Sequence, residues 1–165
     1  MQKVLVSRCL LGQAVRYDGG SHGPFALLQD WLAAGRVVPL CPEVAGGLPV
    51  PRAPAEIPGG QGDQVLDGLQ PVLTEQGEDV SAAFLAGAAE ALRLVREQSI
   101  RIAVLKARSP SCGNLHNYDG SFSGRKVRGM GVTAAALQRA GVRVFNEEQL
   151  MEAQAFLRLL DEQQN

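Results

Sequence analysis

Three cysteines are the residues of this 165-residue chain best suited to do chemistry, and each follows a short apolar run. They are Cys9, Cys41 and Cys112, which follow residues 3–7, 36–40 and 100–105. These runs are rich in β-branched residues, a pattern typical of strands covered by helices on both faces. Because ligands bind at the carboxyl ends of strands in open α/β sheets, we expect the thiols to meet at one sheet edge. Inert packing is the alternative interpretation, since free cysteine is a common small core residue.

Spacing narrows the chemistry that these thiols can do. None of them has an arginine six residues later, which excludes a phosphatase-type phosphate loop. No two of them are two to four residues apart, as in most structural zinc sites, so zinc would need all three plus His22 or His116. Cys112 with His116 could form a cysteine hydrolase pair, although that leaves the other two thiols unexplained. Three thiolates without a fourth suit an iron–sulfur cluster with one open iron, which implies Lewis-acid chemistry.

Composition bounds the class of protein. Hydrophobic residues make up 45% of the chain and charged residues 20%, which predicts one soluble globular domain over residues 1–165. The formal net charge of −1 gives no electrostatic basis for binding a membrane or a long nucleic acid, and neither partner is expected. The apolar N-terminal run is short and interrupted by Arg8, unlike a signal peptide or a spanning helix. We therefore predict a cytoplasmic protein with reduced thiols, for which an odd cysteine count favours metal binding or catalysis.

Strand and helix patterns alternate along the chain, which predicts a parallel sheet with helices packed on it. Apolar spacing predicts a fourth strand over residues 142–145 and helices over residues 25–34, 80–98, 133–140 and 147–160. We also expect a short hairpin over residues 63–75. The fold class that follows is α/β, a three-layer α/β/α sandwich around a small, mainly parallel, Rossmann-like sheet.

Seven motifs along the chain carry a resemblance to a known family. They are VSRCLLG (6–12), VRYDGG (15–20), CPEVAGGLP (41–49), PRAPAE (51–56), LKARSPSCG (105–113), YDGSFSG (118–124) and GMGVTAA (129–135). In this order they resemble the bacterial thiouracil desulfidase family, and the resemblance runs from about residue 3 to residue 150. Motifs of this length are highly specific. We expect the stand-alone, single-domain form of that family.

The resemblance implies an enzyme that replaces the sulfur of a thiolated uracil base or nucleotide by oxygen and releases sulfide. The implied cofactor is a [4Fe-4S] cluster held by Cys9, Cys41 and Cys112. The resemblance also implies acid/base and substrate-positioning roles for Glu43 and Ser109, with Ser111 as a neighbouring substrate-binding candidate. A carbon has the same formal oxidation state in C=S and in C=O, so the exchange is hydrolytic and needs no electron donor.

Other polar residues are candidate contacts for the substrate. Asp18 lies in a Tyr-Asp-Gly triplet and either lines the pocket or only shapes an Asx turn. Arg125 and Lys126 precede a Gly-Met-Gly sequence and a predicted helix, which suits a phosphate if the substrate is a nucleotide. A solvated charged face is the alternative for these two residues.

A second hypothesis comes from another functional class. The three cysteines could belong to a non-catalytic protein that senses metal or redox state. Glu43 separates the two hypotheses, because its replacement abolishes turnover in an enzyme and changes little in a sensor.

Overall fold

A four-stranded parallel sheet forms the centre of the computed structural model, which describes residues 1–164. In chain order the elements are β1 (Val4–Ser7), a 3-10 turn (Arg8–Leu11), α1 (Ala26–Ala33), β2 (Val37–Leu40), α2 (Pro42–Ala45), β3 (Ala55–Glu56), α3 (Gly62–Leu66), β4 (Leu73–Thr74), α4 (Ser81–Glu97), β5 (Ile102–Leu105), β6 (His116–Tyr118), β7 (Lys126–Arg128), α5 (Val132–Arg139), β8 (Arg143–Asn146) and α6 (Leu150–Gln163). Across these residues, none of the helices combines the length and the apolar composition that crossing a bilayer requires.

The central sheet has the strand order β2-β1-β5-β8, and its three pairings are parallel. The four predicted strands are confirmed, with bounds within two residues of the expected ones. Every residue of β1 and β5 is buried, because both strands lie inside the sheet and are covered on both faces. The apolar, β-branched composition of these runs is therefore a consequence of burial on two sides.

Helices cover both faces of the sheet, which confirms the three-layer α/β/α class. On one face, Val4, Val6, Ile102 and Val104 pack against α1 and α6. On the other face, Leu5, Ala103 and Leu105 pack against α4 and α5. The alternating side chains of each strand thus supply one residue to each layer in turn. The four predicted helices are confirmed, with ends shifted by a few residues.

The hairpin expected over residues 63–75 is wrong. That segment contains the short helix α3, after which Gly68 takes a left-handed conformation with φ 75°, and then β4. β4 pairs antiparallel with β3, so its partner lies before residue 63 and not within the segment. A second antiparallel pair, β6 with β7, was not expected, because its polar residues lack the alternation that marks a strand.

The short helix α2, which directly follows Cys41, packs unusually close to α4. A Cβ atom on Gly46 would lie 1.9 Å from the carbonyl oxygen of Ala83, and one on Gly87 would lie 2.0 Å from the carbonyl oxygen of Pro42. Two backbones can approach this closely only where both helices carry glycine. The glycine contact therefore fixes where the residues after Cys41 lie relative to the sheet.

We expect Gly87→Ala to lower the free energy of unfolding by about 1–3 kcal/mol, as overpacked cores do. Helix propensity alone would favour alanine by up to about 1 kcal/mol, but the added methyl group would meet a backbone carbonyl that has no rotamer to change. Urea denaturation measures the difference, and Ala89→Ser on the exposed face of α4 serves as the control. A more stable Gly87→Ala variant would show that α2 moves away without cost.

Candidate active site

A cavity of about 440 Å³ opens at the carboxyl ends of β1, β2 and β5. We call it the thiol cavity, because its lining includes the three cysteines together with Glu43, Ser109 and Ser111. The chain leaves β1 through α1 toward β2 and enters β5 through α4 on the opposite face. Connections that diverge in this way open a crevice between neighbouring strands, which is where ligands of α/β folds bind.

Cys9 lies in the 3-10 turn that follows β1 and is buried, with 8% of its surface exposed. Its carbonyl oxygen accepts a hydrogen bond from the backbone amide of His22 at 2.8 Å. Burial raises the pKa of the Cys9 thiol to about 11, and the neighbouring Cys41 acts in the same direction, whereas Lys106 opposes the rise. Burial therefore favours the neutral thiol over the thiolate at neutral pH.

Cys112 lies in the loop between β5 and β6 and is likewise buried. Burial raises the pKa of its thiol to about 12, and the Ser7 hydroxyl, which donates to Sγ at 3.7 Å, opposes the rise. The Ser111 hydroxyl oxygen lies 3.5 Å from Sγ. The loop rests on the first turn of α5, where the amides of Thr133 and Ala134 donate to the carbonyl of Ser111. A Cβ atom on Gly131 would lie 2.5 Å from the Ser111 carbonyl carbon, so glycine is required for this approach.

Cys41 stands between β2 and α2, and its carbonyl oxygen accepts the amide of Ala45 at 2.9 Å in the first turn of that helix. Its Sγ atom lies 3.9 Å from the carbonyl oxygen of Val15, which is in the loop that follows the 3-10 turn. Cys41 is only partly buried. It is therefore the most accessible of the three thiols.

The three thiols fit an iron–sulfur cluster better than a single metal ion. All three are free cysteines. Within residues 1–164, no set of three or more His, Cys, Asp or Glu side chains is arranged to hold one metal ion. A tetrahedral zinc would bring its thiolates to about 2.3 Å from one centre, whereas a cluster of several iron and sulfur atoms takes thiolates that lie farther apart.

Neither histidine is among the residues that line the thiol cavity. His116 is exposed on β6, outside the residues that line the thiol cavity. His22 is partly buried, and its Nε2 atom has no hydrogen-bond partner among residues 1–164. The hydroxyl groups of Ser7 and Ser111, and not an imidazole base, neighbour the Cys112 thiol.

Glu43 lies in the first turn of α2, and both of its carboxylate oxygens are held. Oε1 accepts a hydrogen bond from Arg52 Nε at 3.1 Å, and Oε2 accepts one from Ser111 Oγ at 2.8 Å. The Arg52 side chain is 6% exposed and that of Glu43 is 14% exposed, so the ion pair is largely dry. The remaining guanidinium donors of Arg52 bind the carbonyl oxygens of Val15 and Pro49. Arg52 therefore fixes Glu43 to the loop that also contacts the Cys41 thiol.

Ser109 and Ser111 form a chain of hydroxyl groups that ends on Glu43. Ser109 Oγ accepts the backbone amides of Ser111 and Cys112, at 3.2 and 3.1 Å. Those two bonds use both of its lone pairs, so its own proton goes to Ser111 Oγ, which lies 2.9 Å away. The Ser111 proton in turn goes to Glu43 Oε2. Of the two serines named from the sequence, Ser111 touches the carboxylate and Ser109 shapes the turn behind it.

The other predicted substrate contacts lie outside the lining of the thiol cavity. The Asp18 side chain is 48% exposed and caps its own turn by accepting the amide of Gly20 at 2.8 Å. Arg125 is 78% exposed, with Nε 3.8 Å from Asp119 Oδ2, and Lys126 is exposed on β7. The structure thus brings together the cysteines, Glu43 and both serines, but not Asp18, Arg125 or Lys126.

Sequence reasoning missed several residues that line the thiol cavity. They are Ser7, Arg52, Glu56, Lys106 and Phe122. Arg52 and Glu56 lie in the PRAPAE motif and Phe122 in the YDGSFSG motif. Membership of these motifs was the signal that could have identified the three residues, because their residue types alone suggest no particular role. The partners of these side chains come from distant segments, and local patterns hold no information on such pairs.

Known proteins share both the sequence and the fold of this chain. The model of the 2-thiouracil desulfurase family matches residues 4–149. YbbK, an uncharacterized protein of Bacillus subtilis (strain 168), is 44% identical over 147 residues, which are 89% of this chain and 97% of YbbK. A solved structure of the [4Fe-4S]-dependent thiouracil desulfidase TudS is 48% identical, with a TM-score of 0.88, and the match covers 96% of this chain and 99% of that one. This chain therefore belongs to the 2-thiouracil desulfurase family.

Proposed function

We propose that this chain is a [4Fe-4S]-dependent desulfidase that replaces the sulfur of a thiolated uracil base or nucleotide by oxygen. The observation that carries the proposal is the convergence of three free thiols and one fixed carboxylate, Glu43, on the thiol cavity. The cofactor and substrate that the name of TudS states, at 48% identity, support the same assignment.

Cys9, Cys41 and Cys112 would hold the cluster as thiolates. When bound by three protein ligands, a [4Fe-4S] cluster supplies one iron with an open position, a soft Lewis acid suited to a thiocarbonyl sulfur. The overall reaction consumes one water and forms one hydrogen sulfide, while the carbon exchanges C=S for C=O. Its formal oxidation state does not change, so the reaction is non-redox.

Glu43 acts as the general base in this proposal. Each carboxylate oxygen has a second lone pair, so Oε2 can take a proton from the attacking water while it still accepts the Ser111 hydroxyl. Glu43 then gives this proton to the departing sulfide, so both protons of the water end on hydrogen sulfide and the ring nitrogens keep their own protons. Arg52 acts through Glu43: its bond to Oε1 prevents the carboxylate from rotating away from the cavity.

Replacing Ser111 by alanine is expected to lower mainly kcat, whereas replacing Ser109 by alanine is expected to lower mainly the melting temperature. Ser111→Ala removes a hydrogen bond to a charged group, so we expect kcat to fall about tenfold or more with the cluster retained. Ser109→Ala leaves two amides of the Cys112 turn without an acceptor, so it should lower the melting temperature more and kcat less. Steady-state kinetics and thermal denaturation of both variants measure the two effects, and the reverse order would contradict the direction of the hydroxyl chain.

The substrate that we propose is a small molecule. Free thiouracil needs only the thiol cavity. A nucleotide would have to extend past Gly124 at the cavity edge before its phosphate reached Arg125 and Lys126, which are the predicted phosphate contacts. A contact with Asp18 likewise requires a substrate that reaches beyond Tyr17, the cavity-lining residue that precedes Asp18 in the chain.

The experiment that tests the function combines metal content with turnover. Protein purified or reconstituted without oxygen should contain about four irons and four acid-labile sulfides per chain, and it should convert 2-thiouracil to uracil with one sulfide released. A protein that holds zinc or no metal under these conditions would contradict the proposal. A protein that holds the cluster but turns over no thiouracil would favour the sensor hypothesis.

A further inference from the structure

The loop between β6 and β7, residues 119–125, borders the thiol cavity and contains a residue with an unusual backbone. Phe122 has a φ of 55°, in the left-handed region that bulky side chains rarely adopt. Phe122 and Gly124 both line the cavity, and Phe122 is only partly exposed. An unfavourable backbone conformation thus coincides with an aromatic residue at the site.

The Glu56 carboxylate holds this loop in place. Its Oε1 atom accepts the backbone amides of Gly120 and Phe122, at 3.0 and 3.2 Å. A Cβ atom on Gly120 would lie 2.6 Å from the Cα atom of Pro58, so the loop is also pressed against the segment after β3. Two bonds from one carboxylate and this close approach together impose the strained φ of Phe122. Strain that the surroundings impose at a cavity wall is a typical sign of function.

The walls of the thiol cavity differ in chemistry. The thiols, Glu43 and Ser111 come from the loops that follow β1, β2 and β5, and they present sulfur atoms and polar atoms. Phe122, an aromatic lining residue, comes from the β6–β7 loop. A pyrimidine needs both kinds of wall, because its edge carries nitrogen, oxygen or sulfur atoms while its faces are apolar.

On the basis of the proposed function, we propose that Phe122 is a substrate-binding residue that stacks on the flat face of the thiolated pyrimidine. Glu56 is the positioning residue, because its two bonds to the loop amides set where Phe122 lies. Stacking acts on the bound substrate before and during the reaction alike. Its loss should therefore weaken binding without slowing the chemical step.

The test compares four variants of the cluster-loaded protein with 2-thiouracil as substrate. Phe122→Ala and Phe122→Gly should raise KM about tenfold or more, with kcat within about threefold of the parent. Phe122→Tyr keeps an aromatic ring and should therefore keep a KM close to that of the parent. Glycine accepts φ 55° without strain, so Phe122→Gly should keep the parent's visible spectrum and a melting temperature within a few degrees. Glu56→Ala should raise KM in the same way as Phe122→Ala. Leu115→Ala, which replaces an exposed side chain outside the cavity, is the control.

Each outcome decides the inference. A KM within twofold of the parent in Phe122→Gly, measured beside an active parent, would overturn the stacking role and leave the proposed function intact. A fall in kcat at unchanged KM, or loss of the cluster spectrum in Phe122→Gly, would also overturn it. A parent protein that holds its cluster but does not consume 2-thiouracil would overturn the proposed function, and this inference with it.

Discussion

Replacing Cys112 with alanine is expected to abolish both the visible absorption of the cluster and the release of sulfide from 2-thiouracil. The proposed cluster has three protein ligands, so loss of one leaves only two, and the side chains beside Cys112 Sγ are the neutral hydroxyl groups of Ser7 and Ser111, which are poor substitutes for a thiolate. The same result is expected for Cys9→Ala and Cys41→Ala. Iron and acid-labile sulfide analysis together with the turnover assay measure both effects.

The control for the cysteine variants is the parent protein stripped of its metal. Alanine fits the space of a buried thiol, so Cys112→Ala should melt within a few degrees of the stripped parent. Full activity in any one of the three variants would exclude that cysteine as a ligand. Activity that persists in Cys9→Ala while Cys112→Ala is inactive would instead favour a cluster-free cysteine hydrolase.

The second large effect is expected for Glu43→Gln, which should lower kcat by about 100-fold or more, as loss of a general base does. Glutamine keeps the length of the side chain and an oxygen that can accept the Arg52 bond, so the cluster and the fold should be retained. The amide cannot take a proton from water at neutral pH. Sulfide release under saturating substrate, with the visible spectrum recorded on the same sample, measures the result.

Two further variants show whether the loss comes from the carboxylate itself. Glu152→Gln, which alters an exposed carboxylate on α6, should keep the parent's kcat. Arg52→Ala should lower the free energy of unfolding by about 1–3 kcal/mol, because it leaves a largely buried carboxylate with only the Ser111 hydroxyl as partner, and by less when Glu43 is already glutamine. A Glu43→Gln variant with parental kcat would exclude Glu43 as the base.

The sequence predicted the parts of this molecule that depend on local pattern. The strands that lead to Cys9, Cys41 and Cys112 are short runs. Helices on both faces of the sheet give these runs an apolar, β-branched composition that is recognisable in the sequence. The rule that sites lie at the carboxyl ends of parallel strands then placed the thiols together. Glu43 followed from the resemblance and from its position two residues after a thiol.

The parts that the sequence did not predict depend on pairs of distant residues in irregular loops. Arg52 reaches Glu43 from a Gly- and Pro-rich segment with no periodicity, and Glu56 binds the amide of Phe122 across 66 residues of sequence. Leu73 and Thr74 pair with residues before the expected hairpin because the intervening chain forms α3. No local pattern specifies which of several loops will meet once the sheet has formed.

The wide separation of the three cysteines along the chain limits the stage of folding at which the proposed cluster can be inserted. Ser7 and Cys112 lie 105 residues apart in the chain, yet their side chains are 3.7 Å apart at the cavity. A metal centre whose ligands are so far apart in the chain cannot nucleate folding. Closing the long loops between the ligands costs entropy, and the pairing of the strands must first compensate for that cost. We therefore expect insertion of the proposed cluster to be a late event that acts on an already assembled fold. The three proposed cysteine ligands come from three separate segments of the chain, so removal of the proposed cluster should loosen all three segments simultaneously.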